Sequence, residues 1–167
     1  MPFPRRSLLL AGLLGACARP APLRDTQADI SAINAVREHE AMLVSAGSAD
    51  SMATLYTDNI VMLPPGEPMV EGIDAFKHWA AAMFSQANLS VQYDKSEVMV
   101  AGDWALDRYT GTLIATPKAG RTAAKEEVKG IHFLQRQSDG SWKIAVDVWN
   151  MNAPPPPAPQ PVPVKKP

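Results

Sequence analysis

Two ionisable residues in the last third of the chain are out of character with their surroundings. His132 and Asp147 lie in "GIHFLQRQSDGSWKIAVDVWN", residues 130–150, among Ile, Val, Phe and Trp. Asp139-Gly140 between the two runs is a strong hairpin signal. A charged group in an otherwise apolar strand needs a partner or a task. A two-residue Asp139-Gly140 loop pairs Ser138 with Ser141, which sets His132 opposite Asp147, Leu134 opposite Ala145 and Gly130 opposite Trp149. Side chains alternate along strands, so these six share one face. The other face pairs Ile131 with Val148, Phe133 with Val146 and Gln135 with Ile144. Opposed Cβ atoms stand roughly 4.5–5.5 Å apart, which lets an imidazole reach a carboxylate. The carboxylate favours the imidazolium and fixes which ring nitrogen stays free, and that nitrogen is then a general acid or base. The same pair also has a purely structural use, satisfying itself and fixing the hairpin register. A glycine opposite Trp149 suggests that the indole lies over the bare backbone of Gly130.

Other chemistries have thinner support. His39, His78 and His132 show no H-x-x-x-H spacing and have no cysteine helpers, so no metal site is expected. There is no G-x-S-x-G elbow, phosphate-cradling glycine loop or dinucleotide fingerprint, and no cofactor is expected. "REHE" at 37–40 reads as an exposed helix face, with Glu40 as its one candidate for a second pocket carboxylate. Asp107 and Tyr109 share parity in one strand, and the sequence leaves open which face they take.

These residues need a scaffold, and the chain has room for one domain with a proper core in its 167 residues. The net charge of −1 and scattered Lys and Arg give nucleic-acid binding no support. Residues 1–17, "MPFPRRSLLLAGLLGAC", read as a signal peptide: Arg5-Arg6, an apolar run too short to span a bilayer, then small residues. Leu14-Gly15-Ala16-Cys17 resembles a bacterial lipobox, which would make Cys17 the lipidated first residue of the mature chain. It is the only cysteine, so no internal disulfide is available. In a two-membrane host, Ala18 after it points to the periplasmic side of the outer membrane. Ala16-Cys17-Ala18 also fits an ordinary cleavage site, which would release a soluble periplasmic or secreted protein. Residues 18–25 read as a flexible tether, 26–152 as the folded domain, and 153–167 as a disordered proline-rich tail.

Within the domain, Thr26-Gln27-Ala28-Asp29 resembles a capping box, and Ile30, Ile33, Val36 and Leu43 follow at near-helical spacing. Gly47 interrupts, and Ser48 is placed to cap a short second helix carrying Met52, Leu55 and Tyr56. "NIVMLPPGEPMVEG" reads as strand, proline turn and short strand. Phe76, Trp79, Ala80 and Met83 give a third helix over 73–86. Strands are predicted at about 89–101, 103–116, 126–137 and 141–150. Helices first and an antiparallel meander after them mean an α+β fold, with helices on one face of a curved sheet.

This order, with "SAGSADSMATLYTDNIVMLPPGEPMVEGIDAF" and "GSWKIAVDVWNMN" as its carriers, resembles the nuclear transport factor 2-like superfamily over residues 28–152. Within it, the chain is most similar to the SnoaL-like branch and the domain-of-unknown-function 4440 family. The resemblance implies a cone-shaped fold whose concave face meets the helices around a pocket and whose convex face often forms a dimer interface. It puts Trp149 on the concave side, and with it His132, Asp147 and Leu134. Met62, Trp79, Met83, Tyr109 and Glu40 are further candidates for the wall. It implies a small apolar ligand and three possible uses: lyase or isomerase, non-catalytic binding module, or dimeric adaptor. Ketosteroid isomerase's own mechanism is not implied, because the position of its basic aspartate matches Leu63, while its tyrosine and protonated aspartate match Glu40 and His132. Trp142, Ile144, Val146 and Val148, with Ile131 and Phe133, would form an apolar convex face joining two copies.

Overall fold

The computed structural model describes residues 26–120 and 122–152, so the expected signal peptide with Cys17, the expected tether and the proline-rich tail lie outside the described residues. Helix α1 runs Thr26–Ala46 and stops where Gly47 takes a positive φ of 67°, its N–H bonding back to the Leu43 and Val44 carbonyls. The Ser48 hydroxyl accepts from the Ser51 N–H and starts α2, Ala49–Ala53. The chain turns at Thr54-Leu55, so Leu55 and Tyr56 are not helical as expected. Tyr56 instead opens strand β1, Tyr56–Leu63. Then come β2, Val70–Glu71, and α3, Ile73–Gln86, as the Phe76-Trp79-Ala80-Met83 spacing predicts. Four long strands complete the domain: β3 Ala87–Ala101, β4 Trp104–Pro117, β5 Ala124–Arg136 and β6 Trp142–Met151.

The strands form one sheet in the order β2-β1-β6-β5-β4-β3. The meander from β3 to β6 is antiparallel, but β1 lies parallel to β6, so the expected antiparallel sheet is a mixed one. That pairing joins distant segments and has no turn residues to announce it. The fold is α+β as expected, with α1 packed on β3 and β6, and α3 on β1, β2 and β3. Ile33, Tyr56, Ile60, Phe76, Ala80, Leu134 and Ile144 fill the core between helices and sheet.

The β5–β6 hairpin shows how the register is kept. His132 faces Asp147, Gly130 faces Trp149 and Phe133 faces Val146, as expected. Nearer the turn the expected pairs are wrong. Gln137 N–H bonds to the Ser141 carbonyl and Gly140 N–H to the Gln137 carbonyl, so the loop has three residues, Ser138-Asp139-Gly140. Gly140 takes a φ of 88°, and the Asp139 carboxylate accepts from both the N–H and the hydroxyl of Ser141. The register shifts back between Phe133 and Leu134, where Ala145 is the extra residue of a bulge. Leu134 therefore faces Ile144, and Gln135 faces Lys143. Below the bulge the alternation of β6 inverts: Trp142 and Ile144 are 4% and 0% exposed in the core, not on the convex face.

Candidate functional site

The buried stripe of α1 is Asp29, Ile33, Arg37 and Glu40, spaced four, four and three residues apart. The "REHE" segment is thus split: Glu38 and His39 face outward, while Arg37 and Glu40 enter the space above β4, β5 and β6. Asp107 and Tyr109 also turn inward, which settles their face. Register then aligns Asp107 with His132 and His132 with Asp147 across three neighbouring strands.

The result is a buried chain of alternating charge. Arg37 Nη1 donates to Asp107 Oδ2 at 2.7 Å, and Arg37 Nη2 donates to Asn34 Oδ1 at 2.8 Å. Asp107 Oδ2 lies 3.8 Å from His132 Nδ1. On the other side of the ring, His132 Nε2 stands 3.5 Å from Glu40 Oε2 and 3.5 Å from Asp147 Oδ1. Glu40 is held in turn by two tyrosines, Tyr56 OH donating to Oε1 at 2.5 Å and Tyr93 OH to Oε2 at 2.6 Å. Tyr109 stacks on the imidazole with ring centroids 4.6 Å apart and meets Tyr93 edge-on. Gly130 makes room for this, since a Cβ there would lie 2.4 Å from the Tyr109 hydroxyl. The ring over the bare backbone of Gly130 is therefore Tyr109. Trp149, expected there, meets Trp79 edge-on instead.

Burial and charge set the protonation states. Burial alone would lower the pKa of His132, but Glu40, Asp147 and Asp107 surround it and lift it to about 9. Burial pushes Asp147 up to about 7, with Glu40 adding to the rise and His132 opposing it. Asp107 is also pressed upward by burial, yet the facing His132 and the Arg37 guanidinium hold it below its ordinary value. Burial, then the neighbouring carboxylates, raises Tyr56, Tyr93 and Tyr109, which stay neutral donors.

A cavity of about 90 Å³ opens above this cluster. Its wall is mostly Met52, Met62, Met83, Trp79, Trp149 and aliphatic residues of β3 and β4. Glu40, Asp147 and the tyrosines are its polar part. Seven of the nine residues proposed from the sequence thus line it: Glu40, Met62, Trp79, Met83, Tyr109, Asp147 and Trp149. Leu134 does not, because it sits beyond the bulge opposite Ile144 in the core. His132 is 1% exposed and lies beneath the wall, with Asp107 facing Nδ1 and Glu40 and Asp147 facing Nε2, so its ring does not open onto the cavity. Leu63, matched to a catalytic base by resemblance, is 39% exposed on the outer face, and Met62 takes the inward position.

Four residues of the site were not singled out from sequence: Arg37, Tyr56 and Tyr93, and Asp107 as a partner of the histidine. For Arg37 a signal existed. Residues 33, 36, 37, 40, 43 and 44 form one helical stripe, and polar groups inside an apolar stripe are buried ones. Tyr56 and Tyr93 carried no such mark.

The family model of the SnoaL-like domain matches residues 36–163, most of the chain. The chain belongs to the SnoaL-like family. Solved structures agree on the fold. A ketosteroid isomerase-like protein from Erwinia carotovora atroseptica is 20% identical, with a TM-score of 0.67 over 75% of this chain and 98% of that one. A candidate dehydratase of the NTF2-like family from Streptomyces avermitilis is 16% identical, with a TM-score of 0.69 over 78% and 100%. A candidate scytalone dehydratase from Novosphingobium aromaticivorans is 14% identical, with a TM-score of 0.71 over 77% and 87%. No curated protein matches the chain. These distant likenesses carry the fold alone.

Proposed function

We propose that this SnoaL-like protein takes a small, largely apolar molecule into the cavity and moves a proton on it, as a lyase or isomerase does. Asp147 is the exchanging group and His132 its positioning residue. The observation that carries this reading is the inequality of the buried carboxylates. Asp107 is tied to Arg37 through Oδ2 and does not line the cavity, and Glu40 is tied to two tyrosines, whereas Asp147 lines the cavity and its Oδ1, like Asp107 Oδ1, has no hydrogen-bond partner. A carboxyl whose pKa lies near 7 gives up or takes a proton readily at neutral pH. His132, protonated up to about pH 9, keeps a positive charge beside the Asp147 carboxylate when the proton has left. The names given to two of the structural neighbours, both candidate dehydratases, are consistent with that chemistry.

The test is proton exchange into small cyclic ketones and β-hydroxy ketones in deuterated water, followed by nuclear magnetic resonance (NMR). Asp147→Asn should slow exchange about 100-fold or more while the compound still binds. Binding with exchange unaffected by Asp147→Asn would reduce the protein to a carrier.

We also propose that the protein is exported and anchored through Cys17, on the strength of the lipobox-like Leu14-Gly15-Ala16-Cys17, and that two copies join through the outer sheet face. Register supports the second point. Val61, Val146, Phe133, Leu106 and Met99 form one continuous apolar row across five strands, with Phe133 39% and Met99 52% exposed. With Trp142 and Ile144 in the core, the centre of the patch lies at Phe133 and Val146.

A further inference from the structure

The 3.5 Å separations around His132 Nε2 are the wrong length for the contact they would otherwise be. A charge-assisted hydrogen bond from imidazolium to carboxylate spans about 2.7–2.9 Å. His132 Nε2 is buried, makes no hydrogen bond and stands 3.5 Å from one oxygen of Glu40 and 3.5 Å from one oxygen of Asp147. All three atoms lie within 4.8 Å of one another. Ligands held at about 2.1 Å around a tetrahedral ion are separated by roughly 3.4 Å, so the two 3.5 Å separations at Nε2 are those of coordination edges.

The surroundings are built for the same task. A metal-bound imidazole almost always has a carboxylate, carbonyl or water on its other nitrogen, which fixes the tautomer and the ring plane. Asp107, itself held by Arg37, faces that nitrogen, with its Oδ2 3.8 Å from His132 Nδ1. Glu40 is held by Tyr56 and Tyr93, and a carboxylate retains lone pairs for an ion beyond two hydrogen bonds. Glu40 and Asp147 also line the cavity, so a fourth position can face a bound molecule or water.

We propose that Glu40, His132 and Asp147 bind a divalent transition-metal ion of the Zn²⁺ class, through Nε2 and one oxygen of each carboxylate. One imidazole with two carboxylates suits Zn²⁺ or Co²⁺, whereas Mg²⁺ and Ca²⁺ prefer oxygen alone. No spacing motif announces the site, because α1, β5 and β6 each supply one ligand. The inference goes beyond the acid–base reading, since the ion takes the place of the protons that reading uses.

The test is a Zn²⁺ titration of the full chain followed by ¹⁵N NMR of the imidazole nitrogens. One equivalent should shift His132 Nε2 into the metal-bound range while Nδ1 keeps its proton. Asp147→Asn and Glu40→Gln should each weaken Zn²⁺ binding at least about tenfold. His39 and His78 report surface binding in the same sample. If Zn²⁺ leaves the His132 resonances in place, or shifts only His39 and His78, the inference is overturned without any dependence on variants that fail to fold. Proton exchange at Asp147 is measured without metal, so the two readings fail separately.

Discussion

Replacing Glu40 by Gln removes one charge and almost no volume, and three contacts register the change. Glu40 accepts hydroxyl protons from Tyr56 at 2.5 Å and Tyr93 at 2.6 Å, and its Oε2 stands 3.5 Å from His132 Nε2. A hydrogen bond to a charged group contributes about 1.5–3 kcal/mol, and an amide has one oxygen to offer two hydroxyls. The loss of stability is therefore about 2–4 kcal/mol, read from urea unfolding at neutral pH. The charge acts on the histidine as well. At about 4 Å and an effective dielectric of about 20, a unit charge is worth roughly 4 kcal/mol, an upper bound of about three pH units. Asp147 ionises more easily once Glu40 is neutral and offsets part of this, so His132 should titrate at least about one unit below its wild-type value of about 9.

Stability follows the same groups with pH. His132 has a folded pKa above its unfolded value of 6.5, so its contribution is complete below about 6.5 and is lost as the pH rises through about 9. Asp147, raised from 3.8 to about 7, holds its proton more tightly when folded, so stability also declines between those values. The wild-type protein should thus be more stable near pH 5 than near pH 9, and Glu40→Gln should flatten the difference. Proton NMR of the His132 ring measures the midpoint, with His39 and His78 as controls for sample pH. An unchanged His132 midpoint together with unchanged unfolding would refute the charge chain as drawn.

Gly130→Ala should cost about 2–3 kcal/mol, because its Cβ would meet the Tyr109 hydroxyl at 2.4 Å and the Val148 carbonyl oxygen at 2.6 Å, of which the second is backbone. The same substitution should alter the tyrosine ring resonances of the cavity, and a fully stable variant would place Tyr109 elsewhere. On the proposed export and anchoring, Cys17→Ser should leave the protein out of the membrane fraction or its precursor uncleaved, since two or three acyl chains anchor stably where none does. Unaltered membrane partitioning would count against the lipobox. Light scattering of the delipidated domain at micromolar concentration should give twice the monomer mass, falling to the monomer mass in Val146→Asp; a wild-type monomer would rule out the outer-face pairing.

The helices and long strands were legible because their signals are local. Gly47 and Ser48 delimit α2, and the apolar spacing of α3 matches Ile73–Gln86. His132 opposite Asp147 was also legible, although two departures had to cancel for it to hold: a longer loop and the Ala145 bulge. Neither is visible in residue types, since Asp-Gly suits loops of two or three residues and alanine bulges leave no mark. The same cancellation hid the inversion that buries Trp142 and Ile144. The parallel β1–β6 pairing was out of reach because it joins segments some eighty residues apart without a turn. The surroundings of the pair were hidden for a related reason. Only three-dimensional packing brings Asp107, from β4, to His132 Nδ1 and sets Glu40, from α1, beside Asp147 at Nε2.

The titration of the Asp147 carboxyl itself tests the central claim most directly. Carbon-13 NMR of its side-chain carbonyl in the metal-free full chain, from about pH 3 to pH 9, reports the protonation of that one group. A cavity-lining carboxyl that exchanges protons at neutral pH, beside an imidazolium, should titrate with a midpoint near 7. A midpoint in the ordinary aspartate range near 4 would contradict the account, because Asp147 would then be a plain counter-ion to His132 with no proton to give.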